Sequence, residues 1–353
     1  MTQRENVIAC MKRKPIQSQL YAFQLCPSLI EEFKHRTGSE ADYTDFFNFP
    51  WKETGCLKLR SVDEGIYKKY YKFELKKGTV IDEFGVAHEP GSEAAKHMTY
   101  MLNPMKDFDS FEQFQSYPYP EFYDGDNQII VQQIKDIHTQ QKAVVGNVTT
   151  TIWERAWYMR GMMELMVDMM NQKEWAAYHL DKITECAKKR AEFFVKNGVD
   201  VLYLGDDIGM QSTIMMSKEL YREWIKPRLK SIIDSVRKIN PDILIMYHSC
   251  GYLEPFIPDF IDIGIDILDP VQPECMNFEK LYKEFGDALS FHGTIGTQTT
   301  MPFGSPEEVK AEVVKNLKIT EKRGGLFCTP THLLEPEVPW KNIMAYLDAV
   351  KNF

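Results

Sequence analysis

Ile243-Leu244-Ile245-Met246-Tyr247-His248-Ser249-Cys250-Gly251 is an apolar run that ends in a histidine and a cysteine. Asn240-Pro241-Asp242 interrupts the chain just before it. A brief apolar run between breakers reads as a buried strand. Side chains alternate along a strand, so His248 and Cys250 point to the same side where this one ends. An imidazole beside a thiolate is half of a zinc site. The competing reading is a buried cysteine next to a hydrogen-bonded core histidine. Two ligands do not define a metal site, so further donors must come from elsewhere in the chain.

The same pattern repeats on both sides of this stretch. Upstream, 199–204 is strand-like and ends in Gly205-Asp206-Asp207, and a helix is predicted over 218–239. Before that come a helix over 127–140, a strand over 143–148 and two long helices, 154–170 and 174–197. Downstream, strand-like runs at 265–270, 288–293 and 326–328 alternate with helices at 278–285, 306–323 and 339–350. Strands alternating with helices build a parallel sheet. Six such strands, with room for two more earlier, point to an α/β fold, a (β/α)8 TIM barrel. A doubly wound sheet would alternate too, but no GxGxxG and no Walker lysine follows any strand. Val7, Ile8 and Met11 give a short helical pattern near the start. Residues 40–125 differ: they are rich in aromatics, glycine and proline, with an alternating run at 67–75 and turn signals at Lys77-Gly78 and Pro90-Gly91. They read as hairpins and loops elaborating one end of a single barrel domain spanning 1–353.

Composition narrows the function classes. The 353 residues are 44% hydrophobic and 26% charged, an ordinary globular balance. A net charge of -9 argues against a surface built for nucleic acid or anionic membrane. No apolar stretch reaches the ~18 residues of a membrane span, and the first residues carry no secretory pattern. Seven scattered cysteines without a CxxC read as the free thiols of a cytoplasmic protein.

In a barrel the strand ends converge on the catalytic face. Polar residues gather there: Asp206, Asp207, His248, Cys250, Asp269, His292, Cys328 and His332. The third metal ligand is expected from the 324–332 segment. Cys328 is the softer donor, His332 lies in the loop beyond, and the sequence leaves the two level. Asp206 and Asp207 are the candidate catalytic carboxylates. Adjacent residues in extended chain face opposite ways, so one of them faces the pocket and the other is free to cap a helix. Glu154 follows a strand and is a candidate substrate contact, as are Gln272 and His292. The methionine-rich segment 159–170 reads as core packing or as an adaptable partner surface, which leaves room for a homodimer. Cys275 is read as a bystander.

These residues resemble the uroporphyrinogen decarboxylase superfamily, which includes the cobalamin-dependent methyltransferases. The resemblance covers most of 140–350 through Leu204-Gly205-Asp206-Asp207 with 217–221, His248-Ser249-Cys250-Gly251, 266–272, His292-Gly293, and Pro339 with Asn342. It implies a (β/α)8 barrel. The decarboxylase branch resembles the chain at His332 but holds its substrate's carboxylates with an arginine-rich N-terminal segment, and 20–27 carries no arginine here. The methyltransferase branch resembles the chain at His248-x-Cys250, where it implies Zn2+. Its third ligand is a cysteine whose position, counted back from Pro339 and Asn342, falls on His332, four residues beyond Cys328. In that branch zinc activates a thiol acceptor or a small-molecule methyl donor, and a corrinoid (cobalamin) is carried by a partner protein. Asp136-Ile137-His138 lacks the following glycine of a corrinoid-carrier motif, since residue 141 is Gln141. The resemblance therefore implies methyl transfer to or from a corrinoid protein. A tetrapyrrole decarboxylase, with Asp206 or Asp207 stabilising a protonated pyrrole, and a non-catalytic corrinoid-binding barrel stand beside it.

Overall fold

A computed structural model describes residues 1–91 and 98–353. Seven strands pair in parallel in one curled sheet, in chain order. They are β1 (Trp51–Glu53), β2 (Ala143–Thr149), β3 (Val201–Gly205), β4 (Leu244–His248), β5 (Ile267–Asp269), β6 (Ser290–His292) and β7 (Leu326–Phe327). Their sequences explain their place: Val144, Leu202, Ile245 and Leu268 are fully buried, as strands covered on both faces require. An isolated parallel bridge joins Leu25 to Leu334. Among the described residues the parallel sheet thus has seven strands where the sequence pattern anticipates eight.

The helical layer includes α1 (Gln3–Met11), α2 (Gln128–Thr139), α3 (Trp153–Arg160), α4 (Met162–Met170), α5 (Glu174–Lys196), α6 (Lys226–Ile239), α7 (Phe278–Phe285), α8 (Pro306–Thr320) and α9 (Trp340–Lys351), with shorter helices between them. The single helix anticipated over 154–170 is corrected to two. Gly161, at φ +99°, separates α3 from α4. The break lets buried Arg160 pair with Asp168 at 2.8 Å and donate to the carbonyls of Met105 and Lys106. The helix anticipated over 218–239 carries a wide i→i+5 turn at Tyr221–Ile225 before α6. The methionine-rich stripe divides between two surroundings. Met159, Leu165 and Met169 are fully buried, whereas Met163, Val167 and Met170 are exposed.

The 40–125 region contains a two-stranded and a three-stranded antiparallel sheet, the latter from Val80–Ile81, Ala87–Glu89 and Tyr100–Leu102. The alternating run at 67–75 is not a strand. Tyr67 sits at the end of a short helix, Glu64–Lys68, and its side chain is buried with its hydroxyl donating to the carbonyls of Glu83 and Pro118. This region is tied to the sheet's helical layer by Arg155, which pairs with Asp82 at 2.8 Å and lies over the Phe84 ring. No helix among the described residues is long and apolar enough to cross a membrane.

Candidate metal centre

Strand register brings the site together. Gly205 of β3 and Asp269 of β5 both lie beside His248 of β4. A Cβ on residue 205 would sit 2.5 Å from the His248 Cβ, so only glycine leaves the imidazole its place. Beyond β4 the chain turns at Gly251, and Cys250 returns toward His248 with Sγ 3.5 Å from Nε2. Asp207 completes the group: its Oδ1 accepts the Cys250 amide at 2.7 Å and lies 3.7 Å from His248 Nε2. The ligand atoms of Asp207, His248 and Cys250 all lie within 4.8 Å of one another.

Asp269 and Tyr203 orient the imidazole. His248 Nδ1 donates to Asp269 Oδ2 at 2.7 Å, and the Tyr203 hydroxyl donates to the same carboxylate. This arrangement leaves Nε2 turned to Cys250 and Asp207, the carboxylate–histidine geometry that accompanies metal ligation. The other oxygen, Asp269 Oδ1, accepts from His292 Nδ1 at 2.5 Å. Burial would raise the pKa of Asp269, but the two histidines outweigh it and hold the carboxyl far below its ordinary range. Burial disfavours charge on His248, yet its bonds to Asp269 and Cys250 push its pKa well above the usual imidazole value. Burial raises the Cys250 thiol, with His248 opposing.

These shifts set the sign of a pH effect. A metal ligates neutral imidazole and thiolate, so its binding must displace the protons that raised pKa values keep on both groups near neutrality. Zinc affinity should therefore rise with pH until both pKa values are passed. Calorimetric titration at pH 7 in buffers of different ionisation heat should show about two protons released per ion. Release of none would exclude these two ligands.

The remaining sequence candidates separate. Asp207 faces the site, and Asp206, the other candidate catalytic carboxylate, does not line the cavity. It is fully buried, and its carboxylate accepts from the Ile152 and Glu154 amides at 3.0 Å, capping the start of α3 from a neighbouring strand. Burial and nearby Glu154 push its pKa up against those amides. Glu154 itself accepts from the Tyr158 hydroxyl at 2.7 Å, and burial followed by the Asp207 charge raises its pKa. Gln272 holds the turn, accepting the Gly251 amide at 3.0 Å. Cys328 is not brought to the group. Its thiol is fully buried 3.7 Å from Thr294 Oγ1, and desolvation pushes it up to about 12. His332 is exposed at the cavity wall, where lost solvation and neighbouring His248 lower its pKa.

Tyr203 and Asp269 are the residues the sequence did not assign to the site. Asp269 stood among the strand-end residues, and only the β4–β5 register shows that it meets His248. Tyr203 is two residues before Gly205, on the same side of β3, a signal that strand periodicity does carry. A cavity of about 590 Å³ opens beside the group, with Trp51, Tyr203, His248, Asp269, His292 and His332 in its wall. Among the described residues no arginine lines it, and the lysine there, Lys52, is engaged by Asp45 at 2.5 Å.

Residues 89–353 match the model of the uroporphyrinogen decarboxylase (URO-D) family. The chain belongs to the uroporphyrinogen decarboxylase family. Its curated relatives include the uroporphyrinogen decarboxylases of Chlorobaculum parvum, 25% identical over 187 residues, and Chlorobium limicola, 26% identical over 189 residues. Each match covers 52% of this chain and 50% of the relative, so the chain spans about half the length of these family members. In structure, this family member is similar to a methyltransferase from Methanosarcina mazei, at a TM-score of 0.68 and 18% identity, covering 100% of this chain and 99% of that one. At that identity the likeness shows a shared fold.

Proposed function

We propose that this protein is a zinc-dependent methyltransferase that moves a methyl group to or from a corrinoid carried by a partner protein. The observation that carries the reading is the Asp207–His248–Cys250 group. Sulfur, nitrogen and oxygen donors from three side chains, with a carboxylate behind the histidine, fit a catalytic zinc ion that keeps a position open. Asp207, His248 and Cys250 would hold it, while His332 stands on the cavity wall and Cys328 is withdrawn beside Thr294. When bound, the ion supplies Lewis acidity to a thiol or to a methyl-bearing heteroatom. The chain's own residues do the rest. Asp269 and Tyr203 fix the His248 ring, and Gln272 holds the turn that presents Cys250. Trp51 and His292 wall a cavity whose volume suits a small molecule. The same reading takes the curled sheet as a (β/α)8 barrel, supported by Trp51 of β1 packing 4.5 Å from Phe327 of β7, centroid to centroid.

The cavity also weighs against the decarboxylase reading, which the family's curated members bring forward. A polyanionic porphyrinogen needs cations, and a wall that among the described residues has no arginine and an engaged lysine offers few. One solved structure that shares the fold is itself a methyltransferase. The test is to incubate zinc-loaded protein with methylcobalamin and a panel of thiols, following loss of the methylcobalamin absorbance. Protein-dependent demethylation with no porphyrinogen turnover is expected. Porphyrinogen decarboxylation by metal-free protein, without methyl transfer, would replace this reading by the other.

A further inference from the structure

We propose that His292 and Asp269 form a proton-transfer dyad that serves the heteroatom gaining or losing the methyl group. The inference rests on the proposed function for what is transferred, but its geometry is independent of the metal. Asp269 is 3% exposed and splits its carboxylate: Oδ2 faces His248, and Oδ1 accepts from His292 Nδ1 at 2.5 Å. In the neutral ring, a proton fixed on Nδ1 by the carboxylate leaves Nε2 as a bare acceptor. The Thr329 hydroxyl reaches Nε2 at 3.4 Å, at the long edge of a hydrogen bond, and His292 belongs to the cavity wall. Trp51 and Phe327 flank the ring, with centroids 5.0 and 5.2 Å away, so it cannot swing from this position freely. His292 is absent from the donor group of Asp207, His248 and Cys250. One buried carboxylate therefore orients two imidazoles for different work. An imidazole held by a carboxylate on one nitrogen and open on the other is the arrangement of a general base or acid.

Methyl transfer needs such a group whenever the acceptor or the leaving group carries a proton. Where an X–H group is methylated, the X–H electron pair stays on X and becomes the new X–CH3 bond. The proton passes to His292 Nε2, and the pair of the broken bond remains with the methyl donor. In the opposite direction the imidazolium returns that proton to X as the methyl group leaves, and X keeps the pair of the broken bond.

Two measurements test the dyad. With 15N-histidine-labelled protein, assigned through His292→Gln, two-bond proton–nitrogen correlation should show His292 with its proton on Nδ1 and Nε2 bare, with and without zinc. A proton on Nε2 of the neutral ring would overturn the proposal. In the methylcobalamin–thiol assay, His292→Gln should retain the wild-type zinc content and lose about 100-fold in rate. Added imidazole should restore part of the rate to His292→Ala. Unchanged rate in His292→Gln, or lost zinc, would overturn the dyad in favour of a structural histidine. If the wild type moves no methyl group at all, the proposed function falls, and the tautomer alone then decides the dyad.

Discussion

Replacing His248 and Cys250 together by alanine should abolish zinc retention, taking the protein from about one ion per chain to none by elemental analysis. Each single replacement should weaken binding by more than the 10–100-fold typical of losing a group that only orients a ligand, because it removes a donor outright. The double variant should still fold. His248 and Cys250 are only partly buried at the end of β4, and truncating them leaves the fully buried strand residues Ile245 and Tyr247 in place. Truncating His248 does leave Asp269 Oδ2 with one fewer donor, but Tyr203 still donates to it and His292 still donates to Oδ1. A cooperative urea transition near that of wild type, with zinc gone, would locate the ligands. Zinc retained in the double variant would sink the site.

The second large effect is expected where no ligand is touched. The loop that carries Asp207 and the turn that carries Cys250 meet through two glycines. A Cβ on residue 209 would lie 2.5 Å from the Cys250 carbonyl oxygen, and one on residue 251 would lie 2.7 Å from that of Met210. Both contacts are to backbone, so the loops must separate to admit a methyl group, and Asp207 must then part from the Cys250 amide. Gly209→Ala should lower zinc affinity by about 10–100-fold, the scale of a change that disturbs a ligand's support. Gly251→Ala adds backbone strain, since residue 251 has φ +88°, and should also cost roughly 1–3 kcal/mol of stability in urea. Gly198 supplies the control. It has φ +89° with nothing within 4 Å of an added Cβ, so Gly198→Ala should lose about 1 kcal/mol and keep its zinc. Unchanged zinc affinity in Gly209→Ala would mean that the loops do not set the Asp207–Cys250 distance.

The run from Ile243 to Gly251 was legible because period-two alternation is a local property. It placed His248 and Cys250 on one side, and strand–helix alternation supplied the parallel sheet around them. Parity also showed that Asp206 and Asp207 must diverge. Which one turns inward depends on phase at the strand's end, where Tyr203, Gly205 and Asp207 face the site and Asp206 meets the amides of α3. The pairing of His248 with Asp269 depends on register between strands, which no single-strand pattern contains. Cys328 and His332 stayed level in the sequence because four residues of irregular chain decide whether a donor reaches the cavity. The thiol ended inside the packing beside Thr294. The elaboration at 67–75 misled because Tyr67 and Tyr71 anchor loops through their hydroxyls, an arrangement whose aromatic spacing resembles a strand's.

Asp206 has a consequence for the time course of folding. Its buried carboxylate binds backbone amides at 152–154, more than fifty residues earlier in the chain, and the next residue is Asp207. Until β2, the start of α3 and β3 have docked, Asp207 has no fixed direction, and Cys250 waits on β4. If the protein binds zinc as proposed, a polypeptide still assembling its sheet therefore lacks the high-affinity site. An ion that binds only the finished molecule slows its unfolding and deepens its native basin without guiding the chain toward it.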